Sequence, residues 1–305
     1  ACLSYHFIEK PFRNGKLSLK WLFLPFGLLI GMGLFSREIS TLGLNPRSTK
    51  FSEAVRDLAR TNYDSDRRED GYYFGNKTKE KNDIILIGDS HARMLIPVFS
   101  KHLKRKDWKG FHPYSKKNRS DFLAINNLTE KAEIDLWLNE MEKYANESKA
   151  IIVSFRHSRS DGNSFYDPIY PATPQIFFEN LSQRLNQISK FVPKIILIGP
   201  FPESPYWGPN YGRNYFQAYK TFDTSKTKFE SLHLGLLDFL NEISSENSKI
   251  QIVYPHLFLT ENNLSLLHLV NDGNFSENLP LYYDDDHLNH YGSDKIIKNL
   301  IERLE

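Results

Sequence analysis

The sequence has little cysteine and little net charge. Its one cysteine, Cys2, cannot form an intrachain disulfide, so cysteine usage does not indicate whether the protein meets an oxidising compartment. With 39 basic and 37 acidic residues, the formal net charge is +2, and nothing points to nucleic acid as a partner. Internal repeats and low-complexity tracts are absent as well. The 305 residues suffice for one large α/β domain with additional segments, or for two small domains.

Long apolar runs are also missing, with one exception near the start. Between Trp21 and Phe35 no residue is charged, although a helix that spans a bilayer needs about 20 apolar residues. A buried core helix or a cleaved signal peptide therefore also fits this stretch. The run would be apolar on every face of a helix, and its glycines suit helix packing in lipid. We predict one transmembrane helix at 16–37. The basic residues before it place the start of the chain in the cytoplasm and the remainder outside.

The remaining sequence divides at residue 83. Residues 38–82 are polar and weakly periodic, and we predict a linker that packs on the next domain, with a disordered linker as the alternative; 63–81 is predicted as loop. From 83 to 305, short apolar runs alternate with helical patterns. Strands are predicted at 83–88, 108–114, 150–155, 194–199 and 250–254, and helices at 91–104, 129–144, 173–191, 226–245 and 293–304. Apolar strands separated by helices predict a mainly parallel sheet with both faces covered, hence an α/β fold.

Ser90 is the candidate nucleophile. It follows the predicted strand 83–88 and precedes a helix, so its hydroxyl is expected at the carboxyl edge of the sheet, where α/β folds bind ligands. A serine hydroxyl is a poor nucleophile unless a histidine takes its proton and a carboxylate orients that histidine. The Ser90 N–H, at the start of a helix, can face a developing oxyanion. A simple helix N-cap is the alternative for this serine.

His287 is the candidate base, because it lies in a loop just before the last predicted helix. Asp284 lies three residues earlier and can accept a hydrogen bond from the other ring nitrogen. Asp285 and Asp286 compete for that role. Three acids and a histidine can instead form a solvated loop or bind a divalent metal, but no second ligand cluster is evident and we predict no metal. His91, adjacent to the serine, is expected to be a structural or positioning residue.

These motifs resemble those of the SGNH (GDSL-type) hydrolase family. The matching blocks are Gly-Asp-Ser at 88–90 and Asp-x-x-His at 284–287, and IILIGDSHARMLIPVF at 84–99 is similar to SGNH domains fused to membrane acyltransferases. Residues 4–13 resemble the S-Y-x-x-I-E-x-P-F-R signature near the end of the acyltransferase-3 membrane domain. The chain begins with alanine, and we expect it to be part of a longer protein. The resemblance implies the end of that membrane domain at 1–15, then the membrane helix, the linker, and an SGNH-hydrolase-like three-layer sandwich at 83–305.

The resemblance implies an O-acyltransferase, usually an O-acetyltransferase, that modifies a cell-surface polysaccharide such as lipopolysaccharide O-antigen. Ser90, His287 and Asp284 would be its triad. The protein would sit in the inner membrane with the SGNH domain in the periplasm. The upstream acyltransferase-3 membrane domain would use acyl-CoA (acetyl-CoA) as donor, and this chain itself is expected to hold no cofactor. A membrane-anchored carbohydrate esterase and a non-catalytic glycan-binding module are the alternatives.

The sequence departs from the family at the oxyanion blocks. No Gly-x-Asn-Asp turn follows the strand 150–155, where Arg156 stands, and Gly110 is a poor match for the family glycine by position. Arg156 could supply a donor or form a salt bridge, while Asp89 and His91 are expected to position the serine. Trp207 and Tyr211 lie in a loop rich in proline and glycine, where they could stack on a sugar or pack the loop itself.

Overall fold

A computed structural model of the protein describes residues 65–113, 128–157, 174–202, 226–259 and 287–305. The strands are β1 (Ser65–Arg67), β2 (Gly71–Gly75), β3 (Ile84–Gly88), β4 (Lys109–Pro113), β5 (Ala150–Ser154), β6 (Ile195–Ile198) and β7 (Ile250–Val253). The helices are α1 (Ser90–Arg93), α2 (Ile96–Arg105), α3 (Leu128–Ala145), α4 (Pro174–Ile188), α5 (Lys226–Leu232), α6 (Leu234–Glu246), α7 (Pro255–Phe258) and α8 (His290–Leu304).

The segments predicted at 1–15 and 16–37 lie outside the described residues. Within the described ranges, every helix is too short or too polar to cross a membrane. The transmembrane helix therefore stays a prediction.

The strands form one sheet with the order β1-β2-β4-β3-β5-β6-β7. Strand β2 pairs antiparallel with both β1 and β4, and the pairs from β4 through β7 are all parallel. The central strands β3, β5 and β6 are almost wholly apolar (IILIG, AIIVS and IILI), and every residue in them is buried. Such runs are typical of strands that are covered on both faces. The predicted α/β fold with a mainly parallel sheet is confirmed.

Helices cover the two faces of the sheet, giving three layers. Because successive side chains of a strand point to opposite faces, Ile84 and Leu86 enter one core and Ile85 and Ile87 the other. The first core also contains residues of α1, α2 and α8. The second contains residues of α3, α4 and α6. Helices α2 and α8, which are far apart in sequence, thus pack on the same face of the sheet. This brings the C-terminal helix next to the helices that follow β3.

The loop predicted at 63–81 is wrong, because β1 and β2 extend the sheet there. Strand β2 has the sequence GYYFG, and its aromatic side chains alternate between the two cores. Tyr73 stacks on Phe111 with ring centroids 4.6 Å apart, and Phe74 packs against Phe99 at 5.7 Å. The charged residues on both sides of this short run obscure its strand character in the sequence.

Two predicted helices are each divided in the structure. The helix predicted at 91–104 is interrupted between α1 and α2, and Pro97, which has no N–H to donate, lies in the first turn of α2. The helix predicted at 226–245 is divided at His233, whose Nδ1–H donates to the Phe229 carbonyl over 2.9 Å. The last helix, α8, begins three residues before the predicted residue 293, because Asn289 caps it.

Candidate active site

The turn from β3 to α1 presents Ser90 at the carboxyl edge of the sheet. Strand β3 ends at Gly88, Asp89 caps α1, and Ser90 is the first helical residue. Gly88 has a φ of +147°, and a Cβ atom there would lie 1.6 Å from the carbonyl oxygen of Ser154. Only glycine fits, because β5 runs directly beside β3 at this point and the backbone must turn sharply. The glycine of the sequence motif therefore makes the turn that exposes the serine.

The position of the turn in the sheet is that of a ligand site. The chain passes from β3 to β4 on one side of β3 and then crosses to β5 on its other side. Such a change of direction opens a crevice outside the carboxyl ends of the strands, where open α/β sheets bind their ligands. Ser90 follows β3 and Arg156 follows β5, so both line this crevice region.

Asp89 connects these two segments. One of its carboxylate oxygens accepts a hydrogen bond from the His91 N–H (2.9 Å), and the other accepts one from the Arg156 N–H (3.1 Å). The first bond caps α1, and the second ties the serine turn to the end of β5. Asp89 therefore fixes the serine turn relative to the neighbouring strand, as a positioning residue would.

Ser90 is half-buried, and Asp89 accepts hydrogen bonds from the N–H groups of the three residues that follow Ser90. The N–H groups of Ala92 and Arg93 both donate to the Asp89 carbonyl over 3.2 Å, and the His91 N–H is bound by the Asp89 side chain. Among the described residues, no hydrogen bond takes up the N–H of Ser90 itself. This amide remains the candidate oxyanion donor.

His287 is brought to the serine turn by the start of α8. Leu288 is buried in the first core, and its N–H donates to the sulfur of Met94 over 3.1 Å. Asn289 caps α8 by accepting hydrogen bonds from the N–H groups of Tyr291 and Gly292. The rings of His287 and His91 meet edge to face with centroids 5.2 Å apart. The candidate base thus contacts the residue that follows the candidate nucleophile, although the two motifs are about 200 positions apart in sequence.

The His91 side chain packs against two other rings of the site. Its ring is buried and also meets Phe201 edge to face, with centroids 5.2 Å apart. Since it contacts the His287 ring, it limits where that ring can lie. Its structural or positioning role stays a prediction.

Two further histidines surround the site. The Nδ1–H of His112 donates to the Leu86 carbonyl (2.8 Å), and the Nε2–H of His157 donates to the Ile198 carbonyl (2.7 Å). Burial lowers the pKa of each to about 4, although the hydrogen bonds oppose the shift. Both rings are therefore neutral near pH 7. The sequence analysis missed them, and the only signal was a histidine at or just after the end of each strand.

Of the other residues named in the sequence analysis, one contributes to the site, one lies far from the serine, and the rest lie outside the described ranges. Arg156 contributes its backbone N–H to the site, and its side chain is half-buried. Asp284 and its neighbours at 285 and 286 lie outside the described residues, as do Trp207 and Tyr211. Gly110 pairs with Ile84 at the opposite end of β3, and a Cβ atom there would lie 2.2 Å from the Phe74 ring. That glycine is required by packing far from the serine. The described residues contain no cluster of three metal-ligating side chains.

A protein-family model matches most of the chain. Residues 57–302 match the model of the SGNH domain fused to AT3 domains. The chain belongs to this family. The SGNH match begins before residue 65, and so includes strands β1 and β2. No curated protein matches the chain.

Two solved structures are similar to this SGNH chain. One is the periplasmic domain of a lipopolysaccharide acetyltransferase from Salmonella ser. Paratyphi A, with 15% identity, a TM-score of 0.52, and coverage of 84% of this chain and 97% of that chain. The other is a protein of Streptococcus pneumonia provisionally named platelet activating factor, with 14% identity, a TM-score of 0.40, and coverage of 91% and 99%. The first similarity shows a shared fold.

Proposed function

We propose that this SGNH domain is an O-acyltransferase that transfers an acyl group, most simply acetyl, to a hydroxyl of a cell-surface polysaccharide. The observation that carries the proposal is the meeting of two distant motifs. The Gly-Asp-Ser turn places Ser90 at the crevice of the sheet, and the start of α8 brings His287 to the same turn through His91. A serine nucleophile with a histidine base is the core of acyl-transfer chemistry, and the ring contact between His287 and His91, the residue after Ser90, supports this pairing.

The reaction follows from the roles of these groups. The Ser90 hydroxyl attacks the carbonyl carbon of the acyl donor while His287 takes its proton, and the Ser90 N–H faces the oxyanion. The donor's leaving group departs with the proton from His287, and an acyl-serine remains. A sugar hydroxyl then attacks the acyl-serine and gives its proton to His287, which returns it to Ser90. In the proposal, Asp284 accepts a hydrogen bond from His287 and orients the ring.

The setting of the reaction comes from the family and its structural relative. A domain fused to AT3 domains would receive its acyl group from the membrane part, which would use acyl-CoA (acetyl-CoA). The relative with the same fold is named as a lipopolysaccharide acetyltransferase periplasmic domain, and from it we take the acetyl group, the polysaccharide acceptor such as O-antigen, and the periplasmic location. The predicted helix at 16–37 would anchor the chain in the inner membrane.

The test uses the 305-residue chain in detergent micelles with a serine-directed fluorophosphonate probe and p-nitrophenyl acetate. We expect the probe to label Ser90, and labelling and hydrolysis to be lost in Ser90→Ala. In His287→Ala the labelling rate should fall by about a hundredfold or more, because general-base assistance contributes factors of that size. Ser245→Ala, which changes an exposed serine of α6, is the matched control and should label as the wild type does.

Adding an oligosaccharide acceptor and analysing products by mass spectrometry separates transfer from hydrolysis. Acetylated sugar that forms faster than free acetate supports the transferase. Free acetate alone, with Ser90 labelled, makes the protein an esterase. If a folded wild-type chain is not labelled at all, acyl chemistry at Ser90 is wrong, and a glycan-binding role takes its place.

A further inference from the structure

We propose that Arg67, Tyr72 and Arg93 form a subsite for an anionic group, a carboxylate or a phosphate, carried by the acceptor glycan. This inference rests on the proposed function, because it names the chemical class of the acceptor. The subsite lies beside α1, the helix that begins with Ser90, and its lining contains none of the residues proposed to carry out acyl transfer.

The subsite is a cavity of about 360 Å³ between the edge of the sheet and the serine turn. Ser65, Arg67, Tyr72, Arg93 and Ile96 line it within the described part of the chain. The volume falls in the range of pockets that bind small ligands. Ile96 and the Tyr72 ring supply apolar contact, and the other three residues supply polar groups. This mixture suits a sugar ring with a charged substituent.

Strand register places the cavity on the same edge of the sheet as Ser90. Strand β4 runs parallel to β3, so His112 near its end lies on the carboxyl edge. Tyr72 is paired with His112, and Arg67 is paired with Tyr72. The three residues therefore form a row across β4, β2 and β1 on the edge where the serine turn leaves the sheet.

Arg93 connects this row to the nucleophile. It is the last residue of α1 and lies three positions after Ser90, which is the spacing of neighbours on a helix surface. Burial is the main cause of the low pKa of His112, and the positive charge of Arg93 adds to it, so the guanidinium lies near the same row. A ligand group held by Arg93 would lie about one helical turn from the serine.

Charge makes an anion the fitting ligand. The two guanidinium groups at the cavity present planar sets of donors that match carboxylate and phosphate oxygens. The Arg67 guanidinium also lies 6.0 Å from the centre of the Tyr72 ring. In the described ranges, Arg93 forms no ion pair with a carboxylate.

Arg68 offers a matched control. It adjoins Arg67 in sequence, but its guanidinium lies 4.6 Å from the centre of the Tyr73 ring, which belongs to the opposite face of the sheet from Tyr72. Changing Arg68→Gln removes the same charge from the same edge without changing the cavity lining. It therefore separates a specific subsite from a general effect of positive charge.

The experiment measures binding by saturation-transfer NMR with the 305-residue chain in detergent micelles. The probes are methyl β-D-glucuronide, glucose 6-phosphate and the neutral methyl β-D-glucoside. We expect at least one charged probe to bind about tenfold more tightly than the neutral one. Arg67→Gln and Arg93→Gln should each weaken binding of that probe about tenfold, because each change removes a charge-assisted hydrogen bond to the anion. Arg68→Gln should bind within about twofold of the wild type.

The outcomes decide both the subsite and its ligand. Preference for the glucuronide supports a uronic acid in the acceptor, and preference for the phosphate supports a phosphorylated sugar. Equal binding of charged and neutral probes, or equal losses in Arg68→Gln and Arg93→Gln, overturns the subsite. In Ser90→Ala the charged probe should still bind, so the subsite is tested without acyl chemistry. Probe labelling at Ser90 without anion preference retains the proposed function and rejects only this inference.

Two controls complete the experiment. Circular dichroism melts confirm that each variant is folded. Arg93→Lys keeps the positive charge without the planar donors and should bind the charged probe with intermediate affinity.

Discussion

At the scale of single residues, the Asp89 carboxylate connects the serine turn to the neighbouring strand. Its two oxygens hold the N–H groups of His91 and Arg156. In Asp89→Ala both bonds are lost, and the turn after β3 is no longer tied to the end of β5. We expect a loss of unfolding free energy of about 2 kcal/mol or more. The rate of Ser90 labelling should fall about tenfold to a hundredfold, because small displacements of reacting groups cost that much.

The control for this prediction lies at the other end of the same strand. Asp83 precedes β3 and accepts hydrogen bonds from the Lys109 N–H (2.8 Å) and the Lys79 ammonium (3.0 Å). Asp83→Ala should destabilise the protein by a similar amount and leave the labelling rate of the remaining folded protein near that of the wild type. Urea unfolding and probe kinetics measure both quantities. If both variants slow labelling equally, Asp89 acts only through stability.

At the scale of elements, the start of α8 determines where the candidate base lies. Asn289 accepts hydrogen bonds from Tyr291 (2.9 Å) and Gly292 (3.2 Å), and His287 is two residues before this cap. Asn289→Ala removes the cap and should cost about 1 kcal/mol of unfolding free energy. Because the chain before the helix then loses its fixed entry, we also expect Ser90 labelling to slow severalfold.

Asn289→Asp and Asn289→Ser test whether the cap is the cause. Both side chains keep an oxygen that can accept from the first turn, so stability and labelling should return towards wild-type values. Thermal unfolding and the probe rate are measured for all three variants. Slow labelling in the serine and aspartate variants as well would show that Asn289 acts through another contact.

The sequence predicts the central strands and the serine turn, because their residue patterns are strong. The runs IILIG, AIIVS and IILI predict buried parallel strands, and the Gly-Asp-Ser turn predicts the serine's position. The short strands β1 and β2 are not predictable in this way, because GYYFG lies among charged residues and gains its stability from pairing with β4. The anion subsite depends on that pairing. Arg67 and Tyr72 lie on β1 and β2 and Arg93 lies on α1, so the subsite forms only when the hairpin of β1 and β2 pairs with β4 beside α1.

At the scale of the whole molecule, buried histidines link the stability of the fold to pH. His112 and His157 lie at the ends of β4 and β5, donate to carbonyls of β3 and β6, and have a pKa of about 4 because they are buried. In the unfolded chain each returns to the ordinary value of about 6.5. Between these values the unfolded state binds more protons than the folded state. The free energy of unfolding therefore falls as pH drops from about 6.5 to about 4, and this contribution is constant above that window.

The size of the effect can be isolated with variants that keep the hydrogen bonds. Gln at 157 can donate from its Nε2 position and Asn at 112 from its Nδ2 position, but neither titrates. Each histidine contributes a slope of at most about 1.4 kcal/mol per pH unit within the window. Urea unfolding at pH 7.5, 6.5, 5.5 and 4.5 should show a shallower fall for His157→Gln and His112→Asn than for the wild type, and the shallowest for the double variant. Unchanged slopes in the double variant would mean that both rings take up protons in the folded state. Burial at the ends of β4 and β5 would then fail to keep the rings of His112 and His157 neutral in the folded protein.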